Sequence, residues 1–203
     1  MTEASLKQVL LPTDRLHPND YNPNAMTTEE FTELVEEVQH LGRLPKPVVV
    51  RPNETGYQIV DGEHGWRAAQ EAGLAEVACE VVEVDDFEAM RQTYKRNQHG
   101  THNKVRLGQM FRWMMEDKGL SQRALAEEIN VSEGTVRNAL EYAKASDVRN
   151  DYAFDELTTR QVRYFNRLPS KIGSLWLDGG ADPQTYYLFM ENAICVMTTT
   201  ICS

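Results

Sequence analysis

The run Ile59-Val60-Asp61-Gly62-Glu63-His64-Gly65-Trp66-Arg67-Ala68-Ala69 concentrates groups that can handle an anion. Gly62 and Gly65 let the backbone approach a ligand closely, and the first amides of a helix carry partial positive charge. Glu63 in that turn can act as a general base, bind magnesium, or simply satisfy the helix dipole. His64 can hydrogen-bond a phosphate or stand exposed in the first turn. Arg67 follows Glu63 by four residues, so it can reach a phosphate or pair with Glu63 across one helical turn.

A second run, Ser121 to Leu140, has the spacing of a helix-turn-helix. Leu125, Ile129, Val131, Val136 and Leu140 supply apolar contacts between two short helices, and Ala126 is small where they cross. Ser121 and Ser132 are good N-caps, and Asn130 stands where a left-handed turn residue is needed. The second helix would place its first residues against base edges in a major groove. Ser132, Glu133, Thr135, Arg137 and Asn138 are therefore the candidate DNA contacts, with Arg137 and Asn138 the base readers. The alternative for this hairpin is a packed dimerisation element.

Weaker signals lie between and around these runs. His99 and His102 form a metal site with His64 only if their turn folds back on the first, and they read as a polar connector. Asn97, Thr101 and Asn103 suit hydrogen bonding to phosphate or ribose. Phe111, Trp113, Met114 and Met115 read as core rather than a base-stacking platform. Tyr186 to Met190 reads as packing within the chain or at a dimer interface.

The elements that must position these residues follow from periodicity. Residues 7–11 read as a strand, then a turn-rich stretch runs from His17 to Asn24. Thr27 and Glu30 make a capping box for a helix carrying Phe31, Leu34, Val35, Val38 and Leu41, ended by Gly42. Strands are expected at 48–51 and 57–60, a helix from Glu63 to Ala72, and a strand from Val77 to Val84. After Asp86 strand signals vanish. Helices are expected at 86–97, at 104–117, from Ser121, from Ser132 and at 158–168, with a break at 98–103. The fold class is α+β: a small mixed domain over 1–95, an all-α helix-turn-helix domain over 96–174, and a tail over 175–203 that has no clear pattern.

Composition agrees with that division. The 203 residues can bury a real core, and 41% of them are hydrophobic. The net charge is −10, but residues 1–95 hold 8 Lys and Arg against 18 Asp and Glu, whereas residues 96–174 hold 13 against 10. The basic excess falls on the candidate DNA module, and a modest excess favours a homodimer for useful affinity. No apolar run spans a bilayer, the N-terminus does not read as a signal peptide, and Cys79, Cys195 and Cys202 read as reduced thiols. The expectation is a cytoplasmic protein, associated with a nucleoid or plasmid, without a membrane partner.

In order and spacing, these blocks resemble the ParB family of chromosome and plasmid partition proteins over residues 8–170. Arg43 to Arg51 is similar to the family's G-x-x-x-P-x-x-V-R segment, Asp61 to Ala69 to its G-E-R-R-x-R-A nucleotide motif, and Leu157 to Arg163 to the helix after the helix-turn-helix. Arg96-Asn97-Gln98-His99 falls where the family has E-N-x-x-R. The resemblance implies specific binding to double-stranded DNA and a nucleotide in the N-terminal domain. In classical members that nucleotide is CTP with magnesium, and its hydrolysis controls a sliding clamp. It implies a nucleotide site of Gly62, Glu63, His64, Gly65, Arg67, Asn97 and His99. CTP or another nucleotide is the expected ligand, with Glu63 and Asn97 as magnesium candidates and Glu63 as the catalytic candidate.

The chain departs from the family pattern at several of these positions. His64 and Gly65 replace two adjacent arginines, Arg96 replaces an acid, and Asn22-Pro23-Asn24-Ala25 lacks the arginine of the first box. Asp61-Gly62-Glu63-His64 paired with Asn97-Gln98-His99-Gly100 is also similar to a broader ParB-like superfamily. That group includes phage and plasmid regulators, nucleotide-dependent phosphotransferases and reported nucleases. Three readings follow: a DNA-binding protein for partition or transcriptional regulation, a phosphotransferase or metal-dependent nuclease, and an interaction or inhibitor protein that keeps only the fold.

Overall fold

The structure, a computed structural model, describes residues 8–98, 101–147 and 152–167. Its strands are β1 (Gln8–Pro12), β2 (Leu16–His17), β3 (Asn24–Ala25), β4 (Val48–Asn53), β5 (Gly56–Asp61), β6 (Glu76–Val81) and β7 (Thr101–His102). The helices are α1 (Thr28–Leu41), α2 (Glu63–Glu71), α3 (Asp86–Arg96), α4 (Lys104–Lys118), α5 (Gln122–Ile129), α6 (Glu133–Ser146) and α7 (Thr159–Phe165). The α+β class read from the pattern is the one observed.

Five strands form a mixed sheet in the order β1-β6-β4-β5-β2. β4 sits at its centre, antiparallel to β5 and parallel to β6. The unbroken Val48-Val49-Val50 of β4 is apolar on both sides because both faces of the sheet are covered. Val48 and Val50 pack with Ile59, Val38, Ala68 and Ala69 beneath α1 and α2, whereas Val49 packs with Val60, Val82 and Ala89 beneath α3. The Thr27–Glu30 capping box forms and starts α1 at the expected place. Cys79 is buried in this core, which pushes its thiol up to about 11 and leaves it inert at neutral pH.

α3 belongs to two cores at once. Ala89 lies on the sheet, while Phe87, Met90 and Tyr94 join Phe111, Met114, Leu125, Ile129 and Val136 of the following helices in one apolar cluster. Tyr94 meets Phe111 edge to face at 5.2 Å. α4 crosses α6 closely at Gly108, where a Cβ would stand 2.1 Å from the Ala139 carbonyl oxygen. A second cluster, including Val105, Tyr142, Phe154, Leu157 and Val162, seats α7 against α4 and α6.

Three expectations are corrected. Strand signals do not end at Asp86, because β7 pairs antiparallel with β3, matching Asn24 to His102 and Ala25 to Thr101. Two-residue strands carry no periodicity, so tertiary pairing alone creates them. Trp113 is 37% exposed rather than core, although Phe111 and Met114 are fully buried as expected. The last helix is shorter than 158–168, spanning Thr159–Phe165. Among the described residues no helix is long and apolar enough to cross a membrane. His99, Gly100, Cys195, Cys202, the Tyr186–Met190 run and the 175–203 tail lie outside the described residues.

Candidate functional site

The turn between β5 and α2 opens on Gly62, whose φ of +93° lies in the left-handed region. A side chain there would be strained, and its Cβ would stand 3.4 Å from the Val48 backbone. This tight passage lets the chain leave the central sheet and enter α2 directly, with the Trp66 amide donating to the Gly62 carbonyl at 2.9 Å. Trp66 anchors the helix by donating from its indole to the Thr13 carbonyl at 2.9 Å. The first turn of α2 therefore faces a cavity of about 600 Å³.

Glu63, only 8% exposed, is the most constrained charge in this wall. One carboxylate oxygen accepts from the Asn22 side-chain amide at 2.8 Å, and the other pairs with Arg67 at 2.5 Å. Asn22 also accepts the Asn24 amide at 3.1 Å, which fixes the short segment leading into β3. Burial holds the His64 imidazole below its ordinary range. Glu63 opposes that shift and Arg67 adds to it, so His64 is neutral at pH 7.

The opposite wall comes from the end of α3. The Thr93 hydroxyl donates to the Val60 carbonyl at 2.7 Å, tying α3 to the last residues of β5. One turn later Asn97 donates its side-chain amide to the Thr93 carbonyl at 2.8 Å, and among the described residues its own carbonyl oxygen has no partner. Arg96 lies 4.0 Å from Asp61. The cavity is thus flanked by two segments distant in sequence and joined through Thr93.

Of the residues expected at a nucleotide site, Gly62, Glu63, His64, Gly65 and Asn97 line one cavity. Arg67 acts through its pair with Glu63. Sequence reasoning did not assign Asn22, Lys46, Asp61, Glu80 or Arg96, which line the same space. Asp61 adjoins the motif and was within reach of it. Lys46 and Glu80 carry no local signal, because only the fold brings them there.

The donor set fits an organic ligand better than a metal held by protein alone. Both Glu63 oxygens are engaged, and among the described residues no group of three His, Cys, Asp or Glu side chains could hold an ion. His102 lies in β7, apart from the lining of the cavity, and His99 is outside the described residues.

The second candidate surface is the N-terminal half of α6. Asn130 adopts φ +60° at the turn, the left-handed conformation expected of it. Ser121 caps α5 by accepting from the Ala124 amide at 3.2 Å, and Ser132 caps α6 by accepting from the Thr135 amide at 3.0 Å. Leu125, Ala126, Ile129 and Val136 are buried between the helices. Ser132, Glu133, Thr135 and Arg137 are exposed on one end of α6, and Arg137 makes no ion pair among the described residues. Asn138 is half-buried, and its carbonyl oxygen accepts from Arg163 of α7 at 2.6 Å.

Comparison with known proteins gives concordant matches. A family model described as the ParB N-terminal domain matches residues 2–98, which include every residue lining the cavity. The chromosome-partitioning protein ParB of Myxococcus xanthus is 30% identical over 162 residues, covering 78% of this chain and 54% of that protein. The chromosome-partitioning protein Spo0J of Thermus thermophilus is 34% identical over 134 residues, covering 65% of this chain and 49% of that protein. The chain therefore spans about half the length of these relatives. Among solved structures, the C-terminally truncated chromosome-partitioning protein ParB of Caulobacter crescentus, complexed to the centromeric parS site, aligns with a TM-score of 0.51 and 25% identity. That alignment covers 87% of this chain and 95% of that one. The longest of these sequence alignments must take in the helix-turn-helix as well as the cavity wall, and on both the chain belongs to the ParB family.

Proposed function

We propose that this chain is a sequence-specific DNA-binding protein of the partition type, with a nucleotide in its N-terminal cavity regulating how it holds DNA. The observation that carries the reading is the exposed end of α6. It presents Ser132, Glu133, Thr135 and Arg137, which has no ion pair among the described residues, on a helix whose caps, turn and buried face are all in place. The family relationship, including a relative complexed to parS, supports DNA as the partner. The working form is a homodimer at the bacterial nucleoid or on a plasmid, since the modest basic excess of one helical half favours two copies on one site.

Phosphates would rest on the Gly62–Gly65 turn, where the first amides of α2 are available, with Lys46 and Arg96 as the cavity's cations. Asn97 would offer its uncommitted carbonyl oxygen to base or ribose. CTP is the family's nucleotide. Magnesium would enter with the phosphates, the way it commonly binds, using few protein carboxylates. Glu63, with both oxygens engaged, holds the wall in shape rather than serving as a general base, which favours a binding role over phosphotransfer or nuclease chemistry.

Two measurements test the reading. Arg137→Ala is expected to cost about 1–3 kcal/mol of discrimination between the parS duplex and unrelated DNA. An intact protein with no salt-sensitive affinity for any duplex overturns the DNA claim. Calorimetric titration with CTP, ATP and ADP, each with magnesium, tests the cavity, and no binding to any of them ends the nucleotide claim.

A further inference from the structure

We propose that Arg163 is a specificity-determining residue, which confines Asn138 to donating a hydrogen bond to a base edge. The proposal rests on the DNA-binding reading above. A guanidinium carries donors only, so the Asn138 atom it meets at 2.6 Å must be the carbonyl oxygen. The Asn138 amide nitrogen then lies on the other side of the group. It has no partner among the described residues and is not sealed from solvent.

Arg163 is itself held in place. It faces Glu141 at 4.0 Å, one turn along α6 from Asn138. Asn166 donates to the Glu141 carboxylate at 2.7 Å and to its backbone carbonyl at 2.9 Å. α7 is thereby fastened to the outer turns of α6, and the orientation of Asn138 is set before DNA arrives.

An unrestrained asparagine recognises adenine with both ends of its amide: the oxygen accepts from N6 and the nitrogen donates to N7. In this chain the oxygen is committed to a charge-assisted bond, which an uncharged N6 amine displaces poorly. What remains is a lone donor. It matches a base whose major-groove edge presents acceptors, which means guanine through O6 and N7 or thymine through O4. Arg163 would thus influence base choice without touching a base.

Selection from a randomised duplex library with the full chain tests this, using wild type, Asn138→Ala, Arg163→Ala and Arg163→Lys. Asn138→Ala is expected to erase preference at one position, where wild type selects guanine or thymine. Arg163→Ala should move that position toward adenine by about tenfold in relative enrichment while the rest of the motif persists. Persistence of the other positions also shows that the variant is folded. Arg163→Lys, which keeps a cationic donor, should retain the wild-type choice. A clamp with no part in recognition would instead weaken all positions together, and that result overturns the proposal. So does adenine at the Asn138-dependent position in wild type, the absence of any such position, or a preference unmoved by Arg163→Ala. If wild type enriches no duplex at all, the DNA-binding reading fails and takes this proposal with it.

Discussion

The cavity and the recognition helix are built on opposite plans. In the cavity the buried charge is already partnered: Glu63 is shared between Asn22 and Arg67, and Asp61 is near Arg96. At the start of α6, Arg137 has no ion pair among the described residues, and the hydroxyls of Ser132 and Thr135 lie at the surface, bonded to each other at 2.9 Å. A buried carboxylate is costly without partners, so Glu63 must be satisfied even without ligand. An exposed helix end is solvated by water and can leave its contacts to the DNA. The cavity thus holds a carboxylate partnered in advance, whereas the helix end presents exposed polar groups whose bonds are local to its cap.

The difference can be broken most severely from behind the recognition helix. Gly108→Leu would drive a side chain into the Ala139 carbonyl, forcing α4 and α6 apart at a cost of about 3 kcal/mol, the upper range for overpacking. Urea unfolding measures the loss. A near-neutral result would show that the α4–α6 crossing does not define how α6 is presented.

Asn22→Ala sharpens the comparison on the cavity side. It removes a hydrogen bond to a buried carboxylate, with an expected cost of about 2 kcal/mol by denaturant unfolding. Nucleotide affinity should fall with it, while duplex binding measured without nucleotide should change little. Equal losses in both would mean that the two sites are not separately organised.

The smallest expected effect is a pH dependence at His64. Its folded-state pKa lies below the ordinary value of about 6.5 because burial disfavours the imidazolium. The unfolded chain therefore takes up the proton first. The stability His64 contributes is present above that ordinary value and is lost as pH falls toward the folded pKa. Melting temperatures measured from pH 7.5 down to 5.5 should decline in wild type, and less steeply in His64→Gln. Parallel profiles would show that this imidazole is not linked to folding.

How far each region can be read from sequence follows the same divide. The helix-turn-helix is local: Ser121, Asn130 and Ser132 cap and turn as expected because each acts within four residues of itself. The cavity is partly local. The Gly62–Gly65 turn announces itself by composition, but Asn22 is 41 residues from the carboxylate it holds. Lys46 and Glu80 join the wall only because β4 and β6 are neighbours in the sheet. Trp113 fails in the other direction, since an aromatic beside buried Met114 and Phe111 reads as core, and only the packed structure shows it partly exposed.

Periodicity, caps and turn residues were enough by themselves to determine the α+β class, the two-helix motif, its exposed face and the glycine turn of the cavity. These depend on interactions within one or two helical turns, where backbone geometry leaves few alternatives. Tertiary structure alone decided that Glu63 is a partnered anchor, that Thr93 ties α3 to β5, that Gly108 lets α4 lie against α6, and that Arg163 commits the oxygen of Asn138. Each of these joins groups from separate elements, and no local pattern encodes which distant side chain will arrive at hydrogen-bonding distance.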